Sequence, residues 1–164
     1  MKKKTSILKL VNMLSSTSHI RRMQAATLLS SFDEKAVPAL LKKLGEPGSS
    51  IKQWSIRWYA AVAVSWIGYK AIPFLSESIL KDKDWHVRAG SAEVFGMLRR
   101  EEATPFLAEA LDDEHFKVRK YSIYALRRIG KINRSIFSRI ELLAKSDPNN
   151  EVREVAQEIL RESK

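Results

Sequence analysis

Apolar residues recur along this chain at the spacing of one helical face, and no segment shows the strict alternation typical of a β-strand. The face reads Val118, Ser122, Leu126 and Ile129 in one stretch. Earlier stretches read Ile56, Ala60, Val64 and Ile67, then Val87, Ser91, Phe95 and Leu98. The small residues in the middle of each stripe indicate helices that approach one another closely, so the pattern predicts an all-α fold.

Each stripe starts beside an arginine, and these arginines mark an internal repeat. They are Arg57, Arg88, Arg119 and Arg153, at spacings of 31, 31 and 34 residues, and a weaker copy contains Arg22. The extra residues between the first two copies are "GEPGSS" at 45–50, whose composition is that of a loop. A helix pair cannot bury its stripe alone, so the repeated units are expected to stack into a solenoid.

A second signature precedes three of the arginine helices. The segments "KAVPALLKKL", "KAIPFLSESIL" and "EATPFLAEAL" hold Pro38, Pro73 and Pro105 at equivalent positions. Proline suits the first helical turn, where its missing N–H has no partner to lose. We therefore expect one domain over 1–164 made of five helix pairs, at about 5–32, 34–68, 69–99, 101–130 and 133–163.

Aspartates accompany the arginines at a fixed distance. Asp82, Asp113 and Asp147 each precede an arginine by six residues, in the turn before the arginine helix. The planar guanidinium binds carboxylates and turn carbonyls through paired hydrogen bonds. We expect a structural ladder in which the arginine of one unit meets the aspartate of the same or the next unit. Its members are Arg57, Arg88, Arg119, Arg153, Asp82, Asp113 and Asp147.

The proline helix starts, the D-x5-R spacing and helices of the outline VRxxAxxxLG resemble HEAT repeats, especially the short HEAT-like type first named from phycobilisome lyases. The resemblance covers nearly the whole chain and implies a right-handed α-solenoid of about five HEAT-like helix pairs, with the second helices lining a concave face. The first two units depart from the pattern, with Ser16 and Ile51 in place of the aspartate, and the fifth lacks the proline.

Composition narrows the function classes. The chain of 164 residues has a net charge of +10 and no cysteine, which excludes disulfides and thiolate chemistry. No apolar run approaches a membrane span, and we expect a cytoplasmic protein without a membrane partner. His19, His86 and His115 share no repeat position, and no phosphate loop or catalytic motif is present. We therefore expect no cofactor, no metal, no catalytic residue and no small-molecule substrate.

The face that the resemblance places in the groove carries the candidate site. Trp54, Trp58, Val62 and Trp66 follow one another at four-residue intervals. They form either packing between adjacent units or an exposed aromatic patch of the kind found at interfaces. The candidate partner-binding residues are Trp58, Val62, Trp66, Glu93, Met97, Lys120, Tyr124, Arg127, Arg128 and Lys131.

Basic residues lie next to this face. Residues 115–140 contain eight Lys or Arg and no acid. The strip Lys117, Lys120, Arg127, Arg128, Lys131 and Arg134 favours an anionic partner, or acids from another unit, to relieve its repulsion. Glu93 would lie mid-groove, in a general composition that resembles HEAT-like alkylpurine DNA glycosylases without sharing a motif with them. It is otherwise a partner for Arg128 or Lys120.

The sequence favours a non-enzymatic binding or scaffold module that presents a concave aromatic and basic groove to a protein. This expectation rests on the analogy with other solenoids. A nucleic-acid-binding protein that contacts the DNA or RNA backbone is the alternative, with a glycosylase-like enzyme behind it.

Overall fold

The computed structural model describes residues 6–162, and its helices follow one another in pairs. The helices are α1 (Ile7–Met13), α2 (His19–Ser30), α3 (Val37–Leu44), α4 (Ile51–Ile67), α5 (Ile72–Lys81), α6 (Trp85–Leu98), α7 (Thr104–Glu109), α8 (Phe116–Ile129), α9 (Arg134–Ser146) and α10 (Asn150–Glu162). No β-strand occurs between residues 6 and 162. The predicted all-α solenoid is confirmed. The predicted outer ends of the first and fifth units, at residues 5 and 163, lie outside the described residues.

Local chemistry explains where the helices begin and end. Pro38, Pro73 and Pro105 occupy the first turns of α3, α5 and α7, and a single 3₁₀ turn precedes each of these helices. Side chains cap several other helices, as Ser50 does when its hydroxyl accepts from the Gln53 amide. Gly130 ends α8 at a φ of 78°, a left-handed conformation that glycine adopts without a steric penalty.

The core lies where the second helices of successive units meet. Ser91 and Ser122 are fully buried in the middle of their stripes, and Phe95 is among the largest buried side chains. α6 and α8 approach so closely that a Cβ atom on Gly96 would lie 3.1 Å from the Cα atom of Ala125. The small residues of each stripe therefore permit the stacking that buries the large ones.

Two buried arginines join successive units. Arg88 donates from Nε and Nη2 to the two carboxylate oxygens of Asp113 at 2.7 and 3.0 Å, and Arg119 binds Asp147 in the same way at 2.8 Å for both bonds. In each case Nη1 turns back to the carbonyl oxygen of its own turn, Asp82 for Arg88 and Asp113 for Arg119. Each arginine thus connects the turn of its own unit with the aspartate of the next.

The second unit departs from the expected ladder. Arg57 donates Nη1 to the carbonyl oxygens of Glu46 and Gly48, at 2.6 and 2.9 Å, and binds no aspartate within residues 6–162. Asp82 instead accepts from the backbone N–H of Asp84. The carbonyls that hold Arg57 belong to the longer loop at 45–50, so this guanidinium is anchored differently from those of Arg88 and Arg119. Arg57 and Asp82 therefore make no carboxylate contact with each other, and Asp82 takes part in the ladder only through the carbonyl that accepts from Arg88.

The last arginine also lacks a carboxylate partner. Arg153 donates to the carbonyl oxygen of Asp147 and to the side-chain oxygen of Asn150, at 2.6 and 3.0 Å. No further unit follows it within the described residues, so the ladder ends here with turn contacts alone.

We expect Arg119→Ala to lower the free energy of unfolding by about 3–5 kcal/mol, because it leaves the Asp147 carboxylate buried without its cation. Arg153→Ala is the matched control, since it removes turn contacts at the end of the array and should cost about 1 kcal/mol. Urea denaturation followed by circular dichroism measures both. Equal losses in the two variants would contradict the role given to the Arg119–Asp147 pair.

Candidate functional site

One face of α4 presents large aromatic side chains to solvent. The exposed fractions are 57% for Trp54, 38% for Trp58 and 50% for Trp66, while Val62 between them is half-buried. The rings of Trp54 and Trp58 stack in parallel, with centroids 5.8 Å apart and an interplanar angle of 8°. Of the two alternatives for this stripe, the exposed patch therefore describes the structure, and packing between units does not.

A concavity of about 550 Å³ lies beside this face and is called here the central concavity. The second helices α4, α6 and α8 supply most of its wall, with the 45–50 loop and the end of α3 at one edge. Its lining residues are Leu44, Gly48, Ser49, Trp54, Arg57, Trp58, Trp85, His86, Ala89, Gly90, Glu93, Lys117 and Tyr121. The volume lies within the range of known ligand sites.

Glu93 is the carboxylate of the central concavity. Among residues 6–162 it accepts no hydrogen bond and forms no ion pair. Burial raises the pKa of Glu93 above its ordinary value of 4.5, because desolvation outweighs the opposing positive charges of Arg128 and Arg57. Burial and the nearby charge of Glu93 likewise raise the pKa of Tyr121. A ligand that donates a hydrogen bond to Glu93 would compensate this desolvation.

Aromatic rings continue from the central concavity along the turns of the next units. The Trp85 ring stacks on His86 and on His115, with centroids 3.6 and 3.8 Å away. The Lys117 ammonium lies 5.0 Å from the centre of the Trp85 ring, within the range of a cation–π contact. Burial, followed by the charge of Lys117, lowers the pKa of His115 from 6.5. This end of the groove therefore combines flat rings with a fixed positive charge.

A smaller concavity of about 210 Å³ adjoins the first and shares Glu93 and Tyr121 with it. Tyr124, Ala125 and Arg128 complete its lining. Arg128 is exposed and forms no ion pair with any of residues 6–162. Glu93 and Arg128 thus line the same concavity without forming an ion pair, and the positive charge of Arg128 acts to lower the pKa of Glu93.

Acids from other parts of the chain neutralise half of the basic strip. Lys120 pairs with Glu151 at 2.6 Å, and Lys131 pairs with Glu101 at 2.7 Å. Arg127 pairs with Glu158 at 3.0 Å and also with Glu162. α8 ends at Ile129, so Lys131 lies beyond the helix that carries Lys120 and Arg127. Lys117, Arg128 and Arg134 form no ion pair within the described residues.

The remaining candidates lie outside both concavities. Met97 is half-buried against the core, and Trp66 is exposed next to Ile67, the last residue of α4. Between residues 6 and 162 no three His, Asp or Glu side chains are placed to hold a metal ion. None of the helices in the described part combines the length and hydropathy needed to span a bilayer.

Sequence reasoning did not assign Arg57, Trp85 and His86 to the site. For Arg57 the sequence held no signal, because the counterpart of the Arg88–Asp113 pair would be Arg57 with Asp82, and that aspartate is present. Trp85 and His86 lie at the start of α6, outside the positions assumed to line the groove. Their place in the central concavity depends on how the turns of successive units align.

The fold is similar to that of a chain in the complex of CpcE and CpcF of phycocyanin lyase from Nostoc sp. PCC7120, with 20% identity, a TM-score of 0.64, and coverage of 94% of this chain and 97% of that chain. A designed armadillo repeat protein in complex with the peptide (KR)4 shows 20% identity over 94% of this chain and 80% of its own, with a TM-score of 0.49. Among curated proteins no sequence matches.

The sequence profile of HEAT repeats matches residues 7–95 and again residues 72–161. The two matches together extend over nearly all of the described helices, from α1 to α10. The chain belongs to the HEAT-repeat family.

Proposed function

We propose that this chain is a non-catalytic binding module whose central concavity and adjoining α4 face receive a protein partner. The observation that supports this most strongly is the exposure of Trp54, Trp58 and Trp66 on a single helix. An isolated exposed apolar residue is ordinary, whereas a contiguous aromatic patch marks an interaction site. Tryptophan is also among the residues that contribute most to binding energy when a partner covers them.

Polar groups around the patch suit a protein interface. Arg57, Lys117 and Arg128 place positive charge along the groove without ion-pair partners among residues 6–162, and Glu93 adds a carboxylate. Protein interfaces combine an aromatic centre with polar surroundings that fix orientation. The solved protein of similar fold is itself in a complex with a second protein, which is an analogy of fold and adds to the proposal only in that sense.

A photocrosslinking experiment tests the proposal. The residue p-benzoylphenylalanine replaces Trp58 in the full chain inside its native cell, and the same replacement at Leu142 is the control, because Leu142 is 64% exposed on α9 and lies outside both concavities. We expect a discrete protein adduct from position 58 that is absent from position 142. The adduct should weaken when Trp54 is also changed to Ala, because the two rings form one surface.

Two results of the crosslinking experiment would contradict the proposal. No protein adduct at position 58, or the same set of adducts at both positions, would contradict a partner in the groove. Circular dichroism of each variant establishes that the helices are intact.

Nucleic acid is the weaker candidate because the strip offers few free charges. With Lys120, Arg127 and Lys131 paired to acids, Lys117, Arg128 and Arg134 remain to neutralise phosphates. We expect at most weak binding of a single-stranded oligonucleotide at low salt, with a log–log salt slope no steeper than about −2, since each phosphate contributes about 0.7. Fluorescence anisotropy at several salt concentrations measures it. Tight binding with a slope of about −4 would favour nucleic acid over protein.

A further inference from the structure

The central concavity contains a cation and an anion that are not bonded to each other. Arg57 uses Nη1 for the carbonyls of Glu46 and Gly48, while its Nε and Nη2 have no acceptor among residues 6–162. Glu93 lines the same concavity and likewise has no partner there. Arg57, which has unused donors, and Glu93, which has an unused acceptor, therefore line a single concave space.

The two charges together restrict what a ligand there can be. A cationic group would suit Glu93 but would meet the positive charges of Arg57 and Lys117. An anionic group would suit Arg57 but would be repelled by the Glu93 carboxylate in the same concavity. A neutral group with one N–H donor and one carbonyl acceptor satisfies both residues without repulsion. The amide group has this combination, and every residue of an extended peptide except proline supplies it.

The aromatic pair provides the neighbouring contact. Trp54 and Trp58 present stacked rings at the edge of the same concavity, and both remain exposed. A flat aromatic surface favours an aliphatic, proline or aromatic side chain, because such a contact removes apolar area from water on both sides. A peptide whose backbone reaches Arg57 and Glu93 would therefore place a side chain against the rings.

We propose that the central concavity binds an extended, uncharged peptide segment of the partner. One backbone carbonyl accepts from Arg57, one backbone N–H donates to Glu93, and an adjacent apolar side chain covers the Trp54–Trp58 pair. This inference rests on the proposed function and specifies its ligand as an unfolded segment in place of a folded surface.

The experiment selects random heptapeptides displayed on phage against the full chain and then measures synthetic copies by tryptophan fluorescence. We expect enriched peptides to be uncharged at their central positions. Methylating the central backbone N–H of an enriched peptide should weaken its binding about ten- to hundredfold, because one hydrogen bond to a charged group is lost. This comparison uses the unaltered protein, so it does not depend on whether a variant folds.

Protein variants locate the contact. Glu93→Ala and Arg57→Lys should each weaken binding by a similar factor, the first by removing the acceptor and the second by removing the planar fork. Lys52→Ala is the matched control, because Lys52 is an exposed residue of α4 outside the concavity and should leave the affinity unchanged.

Four outcomes would overturn the inference. The first two are the absence of any enriched peptide and the enrichment of peptides with a central Lys, Arg, Asp or Glu. The third is an N-methylated peptide that binds as well as its parent. The fourth is displacement of the peptide by guanosine monophosphate, whose base also carries hydrogen-bond donors and acceptors. If methylation has no effect while Trp58→Ala abolishes binding, the amide contact fails and the proposed function stands. If Trp58→Ala also has no effect on selected peptides, the groove proposal fails with it.

Discussion

The fold depends on a hydrogen-bonded ion pair between successive units. Arg88 reaches Asp113 and Arg119 reaches Asp147, each through two parallel bonds, and each arginine also holds a carbonyl of its own turn. Hydrophobic stripes alone would allow neighbouring helix pairs to slide, since dispersion and burial are not directional. A planar guanidinium bonded on both sides fixes one register. That register brings Gly96 against Ala125 and aligns the second helices that line the groove.

The groove occupies the place where this connection is interrupted. Arg57 is the counterpart of Arg88 and Arg119, but the longer loop at 45–50 engages one edge of its guanidinium and no aspartate engages the other. Arg57 lines the central concavity together with Trp58 and Glu93. The counterpart of a residue that joins successive units elsewhere thus keeps unused donors here. Local loss of a structural contact in one unit is one way in which a repetitive fold acquires a site.

Much of the fold could be predicted from the sequence because every unit must satisfy the same physical demands. The stripe, the first-turn prolines and the arginine spacing recur, so several copies predict the same helix pair. The exposure of Trp54, Trp58 and Trp66 could not be predicted, because the packing of adjacent helices decides whether side chains at these positions are buried or in contact with solvent.

Acids from another unit were one of two alternatives for neutralising the strip, but sequence reasoning did not identify which acids these are. They are distant in sequence: Glu151 and Glu158 lie 31 residues after Lys120 and Arg127, the same interval that separates Arg57, Arg88 and Arg119. Opposite charges one repeat apart would have indicated these pairs, whereas counting acids within a single segment did not. The free edge of Arg57 had no signal in the sequence, because Asp82, the counterpart of Asp113 and Asp147, is present; the place of Arg57 in the groove depends on the loop geometry.

The contacts between arginine and aspartate of successive units are tested most directly by double-mutant cycles. In each cycle Ala replaces the two partners singly and together, and the free energy of unfolding is measured. The pairs are Arg88 with Asp113, Arg119 with Asp147, and Arg57 with Asp82. We expect coupling of about 2–3 kcal/mol for the first two pairs and additivity within about 0.5 kcal/mol for the third. Coupling of similar size in all three pairs, or in none, would contradict this expectation.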